Sequence, residues 1–180
     1  MKPLLAAAAT MIATVALAQE GQTTMTTHAF AVDGGYQFAD TYDVRSDPSA
    51  GAPFVLAQAG QLTGAFRFRF DDGPELRAHM NGATANRITP EGAEIFGTMQ
   101  INMDEAEGAA PDSNLLYLAY EGAVAAEGSR VTVTVEGRFV GGTGRYEGAS
   151  GTMSVTSVNG FFADGMGELV LPETAELPVF

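Results

Sequence analysis

The chain has 180 residues, with 22 acidic side chains against nine basic ones and no cysteine. That charge balance excludes nucleic acid as a partner, because neutralising phosphates needs a basic surface, and it argues against an anionic membrane surface. The absence of cysteine excludes disulfides, a lipidated N-terminal cysteine, a thiol nucleophile and cysteine-ligated metal.

In chain order, Met1-Lys2 is a basic start, Leu4 to Leu17 is an Ala-rich apolar run, and Ala16-Leu17-Ala18 is a small-x-small site. These are the parts of a secretory signal peptide over residues 1–18, too short for a membrane-spanning helix. Cleavage after Ala18 leaves 162 of the 180 residues as one expected domain, 19–180, secreted or periplasmic. Lys2 is the only lysine, so this domain carries eight arginines against all 22 acidic residues, a net charge of −14.

Beyond residue 19, period-two alternation recurs and helical periodicity is nearly absent. Candidate strands are Thr23–Val32, Tyr36–Val44, Phe54–Ala57, Gly64–Phe70, Glu75–Asn81, Glu94–Met103, Leu115–Ala125, Val131–Val140, Gly151–Val158 and Gly167–Leu171. Turn signals separate them, among them Asp33-Gly34-Gly35, Asp71-Asp72-Gly73-Pro74, Asn81-Gly82, Glu127-Gly128-Ser129 and Asn159-Gly160. About eight to ten short strands joined by hairpin-length loops predict an all-β fold, an antiparallel barrel or sandwich.

The Gly64–Asn81 hairpin fixes its own register. With Gly73 in the left-handed position of a three-residue turn, Arg69 faces Glu75, Phe68 faces Leu76 and Arg67 faces Arg77. Phe66, Phe68, Phe70, Leu76, Ala78 and Met80 then share one side, and Arg67, Arg69, Glu75, Arg77 and His79 the other. A two-residue turn would mix the two sets. If the arginine side points inward, it can bind a carboxylate or phenolate. If it points outward, Arg69–Glu75 is an exposed pair contributing at most ~1 kcal/mol, and the phenylalanines with Leu76 and Met80 fill the interior or line an apolar pocket.

Farther along, Leu115-Leu116-Tyr117-Leu118-Ala119-Tyr120 does not alternate and predicts a strand covered on both sides. Val131, Val133, Val135 and Phe139 alternate with Thr132, Thr134, Glu136 and Arg138, a strand with one wet face. The stretch Phe139 to Val155, FVGGTGRYEGASGTMSV, lies between two such strands. It has neither the G-K-[ST] ending of a phosphate loop nor the following helix of a dinucleotide fingerprint. Its simplest reading is a glycine-rich connection in which Gly141-Gly142 permit positive φ and Tyr146 folds back over the barrel end.

Gly141, Gly142, Thr143, Gly144, Tyr146, Gly148, Ala149 and Gly151, between two strands, resemble the late-strand signature of the allene oxide cyclase and dirigent-like superfamily. The resemblance covers about a quarter of the domain. It implies a single calycin-like, allene oxide cyclase-like barrel of about eight strands, an apolar small molecule in the barrel, and assembly into dimers or trimers. Some members steer cyclisation or radical coupling, and no catalytic residue of theirs has a counterpart here.

Bound ligand would meet Phe66, Phe68, Phe70, Leu76, Met80 and Tyr146, with Arg67, Arg69 and Arg77 as polar candidates. His79 and Glu168 are the acid–base candidates, because an imidazole near its free pKa or a strand carboxylate can move a proton in an isomerisation. The acidic Asp104-Glu105-Glu107 stretch, with Asp112 nearby, lacks calcium-ligand spacing and reads as a solvated loop. No metal or cofactor is called for. An outer-membrane barrel fits the length and the terminal Phe180, but Pro172, Pro178 and the absence of tryptophan argue against membrane integration. The leading expectation is binding of a small hydrophobic molecule in the barrel, ahead of an isomerase or cyclase in the same cavity and of a non-catalytic structural barrel. A cavity of a few hundred Å³ supports the first two, and a solidly filled barrel the third.

Overall fold

The structure, a computed structural model, describes residues 23–45, 56–71, 73–89, 92–103, 114–173, 175 and 177. The expected signal peptide, the first residues of the expected domain, the Phe54–Val55 end of one predicted strand and the acidic 104–113 stretch lie outside these residues. Eight strands run in order: β1 (Met25–Arg45), β2 (Leu56–Phe70), β3 (Glu75–Thr89), β4 (Gly92–Met103), β5 (Leu115–Glu127), β6 (Arg130–Gly142), β7 (Ser150–Val158) and β8 (Phe161–Pro172). Each is antiparallel to the next, and β8 returns to β1, closing a barrel. The predicted all-β, eight-stranded barrel is the observed fold.

Two of the predicted turns are not turns. Asp33-Gly34-Gly35 lies inside β1, fusing the first two candidate strands, because β2 continues past it with Asp33, Gly34 and Gly35 opposite Arg67, Phe66 and Ala65. Gly34 takes φ +143°, and a Cβ there would come within 2.9 Å of the Phe66 Cα. The glycine therefore bends β1 along the curving wall instead of reversing it. Likewise Asn81-Gly82 sits in mid-β3, held extended by Thr63 and Leu62 on one side and Gln100 and Met99 on the other.

Following cross-strand partners around the wall gives Gly60, Thr84, Gly97, Tyr120, Gly137, Met153, Gly167 and Phe30, and then Phe70 on β2, ten residues along from Gly60. This offset is the stagger that tilts the strands and closes the barrel. Along this row glycine alternates with a larger residue, so each large side chain can lean over a small neighbour, as a narrow barrel requires.

Interior positions are mostly apolar: Phe30, Val32, Phe66, Phe68, Met80, Leu118, Phe139 and Leu169 are all buried. Outside stand Arg67, Arg69, Glu75, Gln100, Glu136 and Arg138, all exposed. That polarity is the reverse of a transmembrane barrel, which is apolar outside and polar within. The Leu115–Tyr120 segment is not covered on both sides as predicted. Leu116, Leu118 and Tyr120 point inward, Tyr117 and Ala119 are partly exposed, and Leu115 is buried beside the turn that follows β6, to which its backbone is hydrogen-bonded.

Candidate functional site in the barrel interior

The predicted hairpin register is observed residue for residue: Arg69 opposite Glu75, Phe68 opposite Leu76, Arg67 opposite Arg77. Its apolar side faces inward. On the outer side Arg67 pairs straight across with Asp33, while Arg69–Asp33 and Arg67–Glu75 run diagonally. Asp33 of β1 accepts from Arg67 Nε at 2.9 Å and from Arg69 Nη1 at 2.6 Å, and Glu75 lies 3.7 Å from Arg67. Asp33 is the better partner for both arginines because it sits opposite Arg67 and next to Arg69 on the neighbouring strand. Arg67, Arg69, Arg77 and His79 therefore line the outer wall and do not reach the lumen. Glu168, exposed and opposite Ala29 and Thr152, is also outside. Strand alternation sets both placements, since Leu169 and Met80 are the inward neighbours.

One half of the lumen is filled. Phe30 meets Phe68 edge-on at 5.1 Å and Phe139 at 6.1 Å, while Phe68 and Phe70 stack at 6.3 Å. Tyr146 closes this end with 0% exposure, carried there by a 3₁₀ turn over Gly144–Tyr146. The turn is tied to β5: Thr143 N–H donates to the Leu115 carbonyl at 2.8 Å, and Leu115 N–H donates to Thr143 Oγ1 at 3.0 Å. Gly141 has the anticipated positive φ, +137°, whereas Gly142 does not. Instead a Cβ on Gly142 would come within 2.5 Å of the Tyr146 carbonyl oxygen, so its role is close approach. Phe68, Phe70, Leu76 and Tyr146 thus belong to the packed end of the lumen.

The other half holds a small, largely closed cavity of about 30 Å³, lined by Leu62, Phe66, Phe162 and three methionines, Met80, Met99 and Met153, among others. Of the predicted ligand contacts, Phe66 and Met80 line it. Its volume is room for about two water molecules, far below the few hundred Å³ that a preformed pocket for a drug-sized molecule offers.

Three polar side chains line this cavity, Tyr36, Tyr120 and Ser157, with Thr84 close behind Tyr120, and none of the four is a site candidate from the sequence. Tyr36 Oη and Ser157 Oγ share a hydrogen bond at 3.0 Å across the lumen, from β1 to β7. Burial raises the Tyr36 hydroxyl pKa above its ordinary value, and the bond to Ser157 offsets part of that rise. Tyr120 also lines the cavity. Burial raises its pKa too, offset in part by the nearby Thr84 hydroxyl and reinforced slightly by Tyr36. Yet Tyr120 Oη and Thr84 Oγ1 do not meet in hydrogen-bonding geometry, and neither has another partner among the described residues. Asn86 Oδ1, two residues along β3, is buried and unpartnered as well. Thr84 and Tyr120 are brought together only through Gly97, the cross-strand partner of both. No local motif marks that relationship.

Among the described residues, no three histidines or carboxylates come together to hold a metal ion. Comparison with protein-family models, with curated proteins and with solved structures finds no match.

Proposed function

We propose that this chain is an exported barrel that binds a small apolar molecule in the half of its lumen around Met80, Met99 and Met153. The observation that carries the reading is the composition of that cavity wall. Three unbranched thioether side chains converge on one largely closed space, and methionine yields volume by rotation about three bonds at little cost. This cavity is therefore a minimum that a ligand enlarges by displacing methionine side chains, in contrast to the stacked phenylalanines at the closed end. The leader-like first eighteen residues support export, and the resemblance of Phe139–Val155 to the allene oxide cyclase and dirigent-like barrels supports ligand binding within the lumen.

The small resting volume favours a second reading, a barrel filled by its own side chains and used for its outer surface. An isomerase or cyclase reading has less support, since His79 and Glu168 both stand on the outer wall. Native mass spectrometry of the protein isolated from its own cells, followed by solvent extraction, separates the first two. A retained small molecule of low polarity supports binding. Protein that carries none, and whose methionine methyl resonances ignore added apolar compounds, supports the filled barrel. The same spectra test the dimer or trimer that the resemblance implies.

A further inference from the structure

The oxygen atoms beside the cavity narrow the chemistry of its ligand. Thr84 and Tyr120 are 5% and 6% exposed, more than nine-tenths buried, and the hydroxyls of both lack a partner. Asn86 adds a buried, unpartnered amide oxygen on the same inward side of β3, opposite Ile95, which itself lines the cavity. Buried polar atoms are seldom left unpaired, and each one that is needs a reason. Three of them, two on β3 and one on β5 across β4, at the edge of this largely closed apolar space, share a single reason: a partner that the protein does not supply. Among the described residues no charged side chain lines the space, so an ionised ligand group would be buried without a counter-charge, at a penalty no hydroxyl could offset.

Resting on the binding reading above, we infer that the ligand is an apolar molecule bearing one neutral hydrogen-bonding oxygen, a hydroxyl or carbonyl. That oxygen meets Tyr120 and Thr84, while the apolar body takes the space vacated by Met80, Met99 and Met153. A carboxylate ligand is excluded from the lumen, and the arginines of the outer wall play no part in holding the molecule.

Three probes of matched shape test this: toluene, benzyl alcohol and benzoate, titrated into protein carrying ¹³C-methyl methionine. Methyl shifts at Met80, Met99 and Met153 locate binding, and the variants are Tyr120→Phe and Thr84→Val. The expected result is that benzyl alcohol and toluene both bind and benzoate does not. Tyr120→Phe then weakens benzyl alcohol about tenfold, the worth of one hydrogen bond in a dry site, and leaves toluene unchanged or tighter. Thr84→Val acts in the same direction, which guards against a change peculiar to one variant. Equal effects on toluene and benzyl alcohol in both variants, or benzoate binding as well as benzyl alcohol, would overturn the inference while leaving lumen binding intact. No methyl response to any probe overturns the binding reading itself.

Discussion

Gly97 on β4 and Tyr120 on β5 are direct cross-strand partners, and the phenol of Tyr120 lies over the glycine. A Cβ placed on Gly97 would stand 2.7 Å from Tyr120 Oη and 2.9 Å from its Cζ. The missing side chain is thus the space that lets a tyrosine cross β4 toward Thr84. Gly167 and Phe30 repeat the relationship on the far side of the barrel, with a hypothetical Cβ 2.6 Å from Phe30 Cζ. The lumen is assembled by such pairs, one residue giving up volume so that its neighbour can lean.

Gly97→Ala should therefore destabilise the barrel by about 2–3 kcal/mol, the cost of overpacking a closed core. Relief is limited because the new methyl also meets the Ala83 carbonyl, a backbone atom of the adjoining strand. Urea denaturation measures the change. A loss under 0.5 kcal/mol would mean that Tyr120 can leave its place freely.

The hydroxyls of the lumen divide into a paired set and an unpaired one, and removing them should have opposite effects. Tyr36→Phe leaves Ser157, 1% exposed, without its bond, and should cost about 1–2 kcal/mol. Tyr120→Phe removes an oxygen that has no partner and should be neutral or stabilising by up to about 1 kcal/mol in the ligand-free protein. Thermal denaturation of the two variants side by side checks the sign. A Tyr120→Phe loss as large as that of Tyr36→Phe would show that ordered water satisfies the Tyr120 hydroxyl.

Alkaline pH should unfold the barrel through the same two tyrosines. Burial raises both above the ordinary value of 10.0. Between pH 10 and the raised folded value, the unfolded chain loses its phenolic protons while the folded one keeps them. Stability is therefore unaffected by these groups below pH 10 and falls as pH rises above it. Urea midpoints from pH 8 to 12 should show this decline, and Tyr36→Phe/Tyr120→Phe should flatten it. Tyrosinate absorbance offers an independent check: all five tyrosines titrating together near pH 10 in the folded protein would contradict the burial of these two.

Asp33→Asn removes the carboxylate shared by Arg67 and Arg69 and leaves Arg67, Arg69 and Arg77 close together on the outer wall. Half of each of Arg67 and Arg69 is open to water, so the loss should stay within about 1 kcal/mol and shrink further as salt is raised from low ionic strength to 0.5 M. A larger, salt-independent loss would mean that Asp33 matters for the bend at Gly34 and not for its charge.

What the sequence showed plainly was alternation. The Phe66–Phe70 and Leu76–Met80 runs carry a period of two strong enough to fix the hairpin register, and Asp71 to Gly73 supplies the turn that keeps apolar residues on one side. Wall curvature was not legible. Asp33-Gly34-Gly35 has turn composition, yet β2 pairs all three residues and β8 picks up again at Gly35 after a register shift, so the segment stays in the wall and the glycines only bend the strand. The Tyr120–Thr84 juxtaposition was hidden for a related reason: the residues are 36 positions apart and meet across a third strand, through a glycine that looks unremarkable by itself.

The two Asn-Gly dipeptides carry this contrast into a measurement. Asn159-Gly160 connects β7 to β8 with φ +50° and +85°, the two positive values of a type I′ hairpin. The Asn159 side-chain oxygen also accepts from the Val131 N–H at 2.8 Å, and the Asn159 backbone N–H donates to the Val131 carbonyl at 2.8 Å, fastening the turn to β6. Asn81 has the same neighbour but lies extended and outward in mid-β3, between Thr63 and Gln100. Asn159→Ala should cost about 1–2 kcal/mol, from a left-handed conformation that alanine resists and a lost hydrogen bond to the backbone. Asn81→Ala should stay within about 0.5 kcal/mol, as an exposed strand substitution does. Denaturant midpoints of the two variants decide the matter, and equal losses would mean that Asn81-Gly82 also needs its asparagine to hold the wall in shape.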